Sequence, residues 1–166
     1  MPVTDVHRDV DNRTLTITAE FAAPPKRIWQ IYADPRQLER VWGPPTYPAT
    51  VVYHELAPGG QVHYYMTSPE GAKHPGYWHV IEAAEPSLLV FEAGIASSDF
   101  TPDPTMPASV NRYSFTANDG GTQAVYLSTY PTVESLETAL AMGVDKGTAG
   151  AIGQIDELLN PRRNNA

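Results

Sequence analysis

Between Tyr47 and Tyr130 the chain is divided into six runs of strand-like composition, at 47–56, 61–67, 77–83, 88–93, 109–117 and 122–130. All but one of the connections are short and rich in Gly, Pro, Asp and Asn, so neighbouring runs are expected to pair as an antiparallel meander. Pro58-Gly59-Gly60 is a tight turn feeding a strand, and Pro69-Glu70-Gly71 closes a hairpin. A seventh run precedes these. At 14–21, Leu15, Ile17, Ala19 and Phe21 alternate with Thr14, Thr16, Thr18 and Glu20, the pattern of a half-buried strand. Pro24-Pro25 then opens a helix whose apolar face is Ile28, Trp29, Ile31 and Tyr32. Asp34-Pro35 breaks it, a second short helix covers 35–41, and Trp42-Gly43-Pro44 stops that one.

The last element is helical. From 133 to 159, Leu136, Leu140, Gly143, Gly147, Gly150 or Ala151, Ile155 and Leu158 recur at three-to-four spacing, a single stripe about 40 Å long. Thr132 can cap its start and Asn160-Pro161 ends it. The middle of the stripe is glycine, although each glycine inside a helix costs about 1 kcal/mol relative to alanine. Either the helix packs unusually close to the sheet, or the missing side chains leave a cavity beneath its centre; a break or bend near 143–153 is a further alternative. Together these elements predict an α+β fold: a curved seven-stranded antiparallel sheet wrapped around a long C-terminal helix, with two short helices after the first strand.

A length of 166 residues with 42% hydrophobic content suits one domain with a real core. The net charge of −8 opposes binding to nucleic acid or an anionic membrane. Cysteine is absent, no apolar run approaches the roughly 20 residues of a membrane span, and residues 1–11 lack a signal-peptide core. A cytoplasmic protein of bacterial source is therefore expected. The long connection at 96–108, with Pro102, Pro104, Pro107, Phe100 and Met106, reads as a surface insertion or as a lid whose Phe100 and Met106 cover a pocket mouth. Residues 161–166 are expected to fray.

Several short motifs follow one another along 14–159: Ala23-Pro24 with Ile28-Trp29, Trp42-Gly43-Pro44, Leu56-Ala57-Pro58-Gly59-Gly60, Met66 with Pro69-Glu70-Gly71, and Gly76. Glu85-Pro86 with Leu88 to Phe91, Gly120-Gly121-Thr122 and Met142-Gly143 complete the set. In this order they resemble the SRPBCC superfamily, whose helix-grip fold is shared by START lipid-transfer domains and birch-pollen allergens. More narrowly the chain resembles the heat-shock protein ATPase activator (Aha-type) family, many of whose bacterial members are stand-alone domains. The resemblance implies a single domain over 1–166 with its core at about 14–159. Two departures stand out. Val144 takes the place of a tryptophan common after the glycine of the final helix, and Gly147, Gly150 and Gly153 are small, which implies a roomier pocket. Val41-Trp42 replaces a doubled tryptophan, leaving that packing role to Trp42.

Alternation along the strands sorts side chains into two faces. Val62, Tyr64, Met66, Trp78 and Val80 form the more apolar set, and it contains the family's Met66 position; Gln61, His63, Tyr65, Tyr77, His79 and Ile81 form the other. The first set is assigned to the concave face, with Tyr113 and Phe115 inward from a later strand; for the last strand Tyr126 competes with Val125 and Leu127. The candidate ligand-binding residues are Trp42, Tyr64, Met66, Trp78, Tyr113, Phe115 and Met142, mostly apolar walls with a few phenols. Each has ordinary core packing as its alternative.

His63 and His79 could pair across the hairpin, but no third ligand is evident, so they read as a solvated or stacked pair on the convex face and no metal is expected. His54 and His74 sit beside turns and read as surface residues. Glu82, Glu85 and Glu92 read as solvated carboxylates at strand ends; a buried glutamate beside a tyrosine would be the acid–base alternative. Neither a nucleophile constellation nor a phosphate-binding glycine loop is present, and no cofactor is expected. Three functions follow from the fold and the resemblance. The first is binding of a small hydrophobic or aromatic molecule between sheet and helix. The second is a polyketide cyclase or aromatase-like enzyme, and the third a chaperone ATPase co-regulator acting through its surface. A homodimer is compatible with each.

Overall fold

A computed structural model describes residues 2–160, so the expectation for the 161–166 tail lies outside the described residues. The sheet has eight strands: β1 Val3–Asp9, β2 Thr14–Phe21, β3 Ala49–His54, β4 Gln61–Thr67, β5 Lys73–Ala84, β6 Leu88–Ile95, β7 Ser109–Asn118 and β8 Gly121–Thr129. Their order is β1-β2-β8-β7-β6-β5-β4-β3, antiparallel throughout. The meander from β3 to β8 is the one expected from the turns. The eighth strand, β1, is not foreseen by alternation because its register shifts between Val3 and Asp5, which puts the core-packed Val3 and Val6 three residues apart instead of two or four.

One face of the sheet is apolar and buried. It carries Leu15, Ile17, Ala19 and Phe21 of β2, Val51 of β3, Val62 and Tyr64 of β4, Trp78 and Val80 of β5, Leu89 and Phe91 of β6, Tyr113 and Phe115 of β7, and Ala124 and Tyr126 of β8. The strand parities therefore hold, and Tyr126 is the buried member of its strand while Val125 and Leu127 are only half-buried.

Two short helices, α1 Pro25–Ala33 and α2 Pro35–Trp42, seat on this face. Pro25 and Pro35 stand in their first turns, where the missing N–H costs nothing, and the Asp34 carboxylate caps α2 by accepting from the Arg36 N–H at 2.9 Å. Helix α1 buries Ile28, Trp29, Ile31 and Tyr32, aliphatic and aromatic groups worth roughly 1.5–3 kcal/mol each when fully removed from water.

The expected single C-terminal helix is three: α3 Val133–Ala141, α4 Val144–Gly153 and α5 Ile155–Leu159. The apolar stripe continues across them, but Gly143 takes φ +86°, the left-handed turn that ends α3 and that residues with a Cβ adopt at a cost. Thr132 caps α3 in a reciprocal capping box with Ser135. Arg8 of β1 grips Asp145 of α4 through Nε at 2.9 Å and a second nitrogen at 2.5 Å. Gln154 donates to the Gly43 carbonyl at 2.5 Å, fixing the junction of α4 and α5 to the end of α2.

The 96–108 connection does not lay its aromatic tip over the concave side. Phe100, at φ +66°, stacks on His63 with centroids 5.0 Å apart and planes 3° from parallel, on the convex face. Near the return of that connection, Tyr77 lies against Gly94 and close to Ala108, so it is buried although its parity points outward.

Candidate functional site

The concave face and the helices α3 and α4 flank a cavity of about 770 Å³ that opens to solvent beside Met142 and Tyr47. Its walls are Trp42 at the end of α2 and Pro44 just beyond it, Tyr64 and Met66 of β4, Gly76 of β5, Ala93 to Ile95 of β6, Tyr113 of β7, Ala139, Gly147, Ala151 and Ile152 of the helices, and Met142 at the end of α3. The glycine stripe resolves toward a cavity at its centre: a Cβ at Gly147 would meet no atom within 4 Å. At Gly150 the nearest atom is Pro45 Cδ at 4.0 Å, an ordinary contact. Gly76 has the opposite reason to be glycine, since a Cβ there would overlap the Tyr64 ring.

Of the seven residues singled out by sequence, Trp42, Tyr64, Met66, Tyr113 and Met142 line this cavity. Trp78 and Phe115 do not. Trp78 is fully buried, stacked on Phe91 at 4.1 Å and edge-on to Trp42 at 4.8 Å, so Trp42 stands between it and the open space. Phe115 stacks on Tyr32 of α1 at 5.6 Å, because α1 seats over that end of β7. Both point inward as their parity requires, but a helix rather than the cavity meets them.

Tyr32, Asn111, Ser128 and Tyr130 also line the cavity and were missed. Asn111 shares the parity of Tyr113 and Phe115, and Ser128 that of Tyr126, so the signal was present in strands already assigned. They form a polar end. Asn111 Oδ1 accepts from Ser128 Oγ at 2.7 Å and its Nδ2 donates to Ser109 Oγ at 3.2 Å. Tyr32 Oη donates to Tyr126 Oη at 3.2 Å.

Burial raises the pKa of Tyr113 well above the ordinary phenol value, and the nearby Tyr32, Tyr64 and Tyr130 oxygens oppose its ionisation further. Burial does the same for Tyr32 and Tyr64. These phenols therefore stay protonated and can donate. Among the described residues no lysine, arginine or carboxylate lines the cavity; His74, beside Tyr47, is the sole imidazole there.

The remaining histidines and glutamates lie elsewhere. The β4–β5 hairpin centres one residue earlier than the sequence suggests, pairing Gln61 with His79 and His63 with Tyr77, so the two imidazoles are diagonal and not directly opposed. Burial lowers the His63 pKa, with His79 adding to the effect. Glu92 is mid-strand in β6, not at a strand end; it accepts from Tyr77 Oη at 2.7 Å and lies 3.8 Å from His79 Nδ1, on the convex face. His54 is no free surface residue, since its Nε2 bonds the Tyr32 carbonyl at 2.9 Å. Among the described residues no group of three metal-ligating side chains forms, and no helix is long and apolar enough to cross a membrane.

Residues 22–160 match the family model described as Activator of Hsp90 ATPase homolog 1-like protein. The crystal structure of a Mycobacterium smegmatis protein is 58% identical, covering 96% of this chain and 98% of that one, with a TM-score of 0.88. A solution structure from Arthrobacter aurescens is 38% identical over 96% of this chain and 92% of its own, with a TM-score of 0.92. The AHSA1 protein of Silicibacter pomeroyi shares the fold at 17% identity, over 90% of this chain and 99% of its own, with a TM-score of 0.69. No curated protein matches the chain.

Proposed function

The chain belongs to the Activator of Hsp90 ATPase homolog 1-like family, and from that footing we propose that it binds a small hydrophobic or aromatic molecule between the sheet and the C-terminal helices. The observation that carries this reading is the open volume under Gly147: about 770 Å³, within the range of small-molecule sites, with apolar walls and a cluster of phenols at one end. A protein interior normally closes such a space, because atoms that face a void forgo their dispersion contacts. Bound ligand restores those contacts and removes its own apolar surface from water.

Binding is favoured over the cyclase alternative by the acid–base inventory. The phenols in the cavity are pushed away from neutral pH by burial, and the tyrosine–glutamate pair, Tyr77 with Glu92, faces outward. The role that fits is sequestration or sensing of the ligand. Native mass spectrometry of the protein from its own host, followed by denaturing release, tests the reading. A stoichiometric apolar or aromatic compound is the expected result. An empty protein whose melting temperature is unmoved by a panel of aromatic and acyl compounds would overturn it.

A further inference from the structure

Three phenols that line the cavity, Tyr64, Tyr113 and Tyr130, donate no hydrogen bond to a described residue; Tyr64 has the Trp42 indole edge-on and Tyr130 has the Ser109 hydroxyl nearby, whereas Tyr113 has only other phenols near its hydroxyl. Tyr32 Oη is committed to Tyr126, and Asn111 to Ser109 and Ser128. Tyr113, 4% exposed, makes no hydrogen bond to any described residue, and its acidity reflects burial and neighbouring phenols with no hydrogen-bond contribution. Among the described residues the side-chain atoms that are both sealed from solvent and unpartnered are the indole nitrogens of Trp42 and Trp78. Tyr113 Oη is not among them, so it opens onto the cavity that Tyr113 lines. A protonated phenol in such a place is a donor waiting for an acceptor.

The charge inventory narrows the acceptor. A carboxylate or sulfonate entering this end would leave water for walls without a lysine or arginine, with only neutral O–H and amide groups to offset the lost hydration of its charge. A neutral carbonyl-type oxygen suffers far less. Resting on the reading of the cavity as a ligand site, we infer that the ligand is uncharged, carries a carbonyl-type oxygen that accepts from Tyr113 Oη, and that Tyr113 sets this specificity.

Three probes of matched shape separate the inference from the reading beneath it: benzophenone, diphenylmethane and diphenylacetate, titrated calorimetrically into the wild type and Tyr113→Phe. Removing one oxygen should lower benzophenone affinity about tenfold, the effect of a hydrogen bond of ordinary strength, and leave diphenylmethane affinity unchanged. Diphenylacetate should bind the wild type most weakly. The carbonyl stretch of benzophenone bound to the wild type should fall below its value in hydrocarbon solvent, a readout that needs no variant. A benzophenone affinity indifferent to Tyr113→Phe, an unshifted carbonyl stretch, or diphenylacetate as the tightest ligand would overturn the inference while the cavity reading stands. Absence of binding by all three would overturn the cavity reading, and the inference with it.

Discussion

At the residue scale the decisive position is Gly147, where a side chain is missing and no neighbour has moved in to replace it. Gly147→Leu should fill the cavity from the helix side while recovering roughly 1 kcal/mol of helix propensity. The expected outcome is a raised melting temperature together with loss of any ligand that accompanies the wild type in native mass spectrometry. A variant that keeps the ligand would place binding elsewhere. Alternation along the strands was enough to read Tyr64, Met66 and Tyr113 as inward. The same alternation could not say that Trp78 and Phe115, also inward, would be covered by Trp42 and by Tyr32. Alternation reports which face a side chain takes; what meets it there depends on where α1 and α2 come to rest. Asn111 and Ser128 share that inward face but are polar, and the mutual hydrogen bond that lets them sit there is not encoded in alternation.

Among the elements, β1 shows most clearly where pattern reading fails, since its bulge shifts the packed side chains off a two-residue period. Its attachment to α4 has a pH signature. Hydrogen bonding from Arg8 holds the Asp145 carboxyl below its ordinary 3.8, so the pair stabilises the fold in full above that value. The contribution disappears as the pH falls through the lower, folded-state pKa. In urea titrations the stability gap between wild type and Arg8→Met should be constant above about pH 5 and narrow below the ordinary carboxyl range. The 96–108 connection allows a second test. Phe100→Ala removes the ring stacked on His63, and with it part of the burial that lowers the imidazole pKa, so that pKa should rise toward 6.5 in an NMR titration. Ligand affinity should be unchanged, because the tip lies on the convex face; a lid would predict a loss. The helical stripe is legible from Leu136 to Leu158, yet spacing alone does not distinguish a continuous helix from one interrupted at a left-handed Gly143 and again at Gln154.

For the whole molecule, ligand present at about 100 times its Kd should raise the unfolding free energy by about 2.7 kcal/mol, measured by urea denaturation with and without it. Secondary structure should not change, since sheet and helices already frame the space. The element order was readable because turn residues, proline positions and alternation agree with one another over most of the chain. The volume left between elements was not, since it is a difference between two packed surfaces and only the glycine stripe hinted at it. The sheet order carries a further consequence for how the chain is made. Strand β2 lies between β1 and β8, and its register with β8 joins Thr14 to Thr129 and Phe21 to Thr122. During synthesis the apolar row of Leu15, Ile17, Ala19 and Phe21 therefore emerges well before its partner, and one edge of β2 stays open until residues 121–129 arrive. Closure of the sheet at this edge waits for a partner about a hundred residues downstream, and the nascent chain carries an unpaired strand edge over that interval.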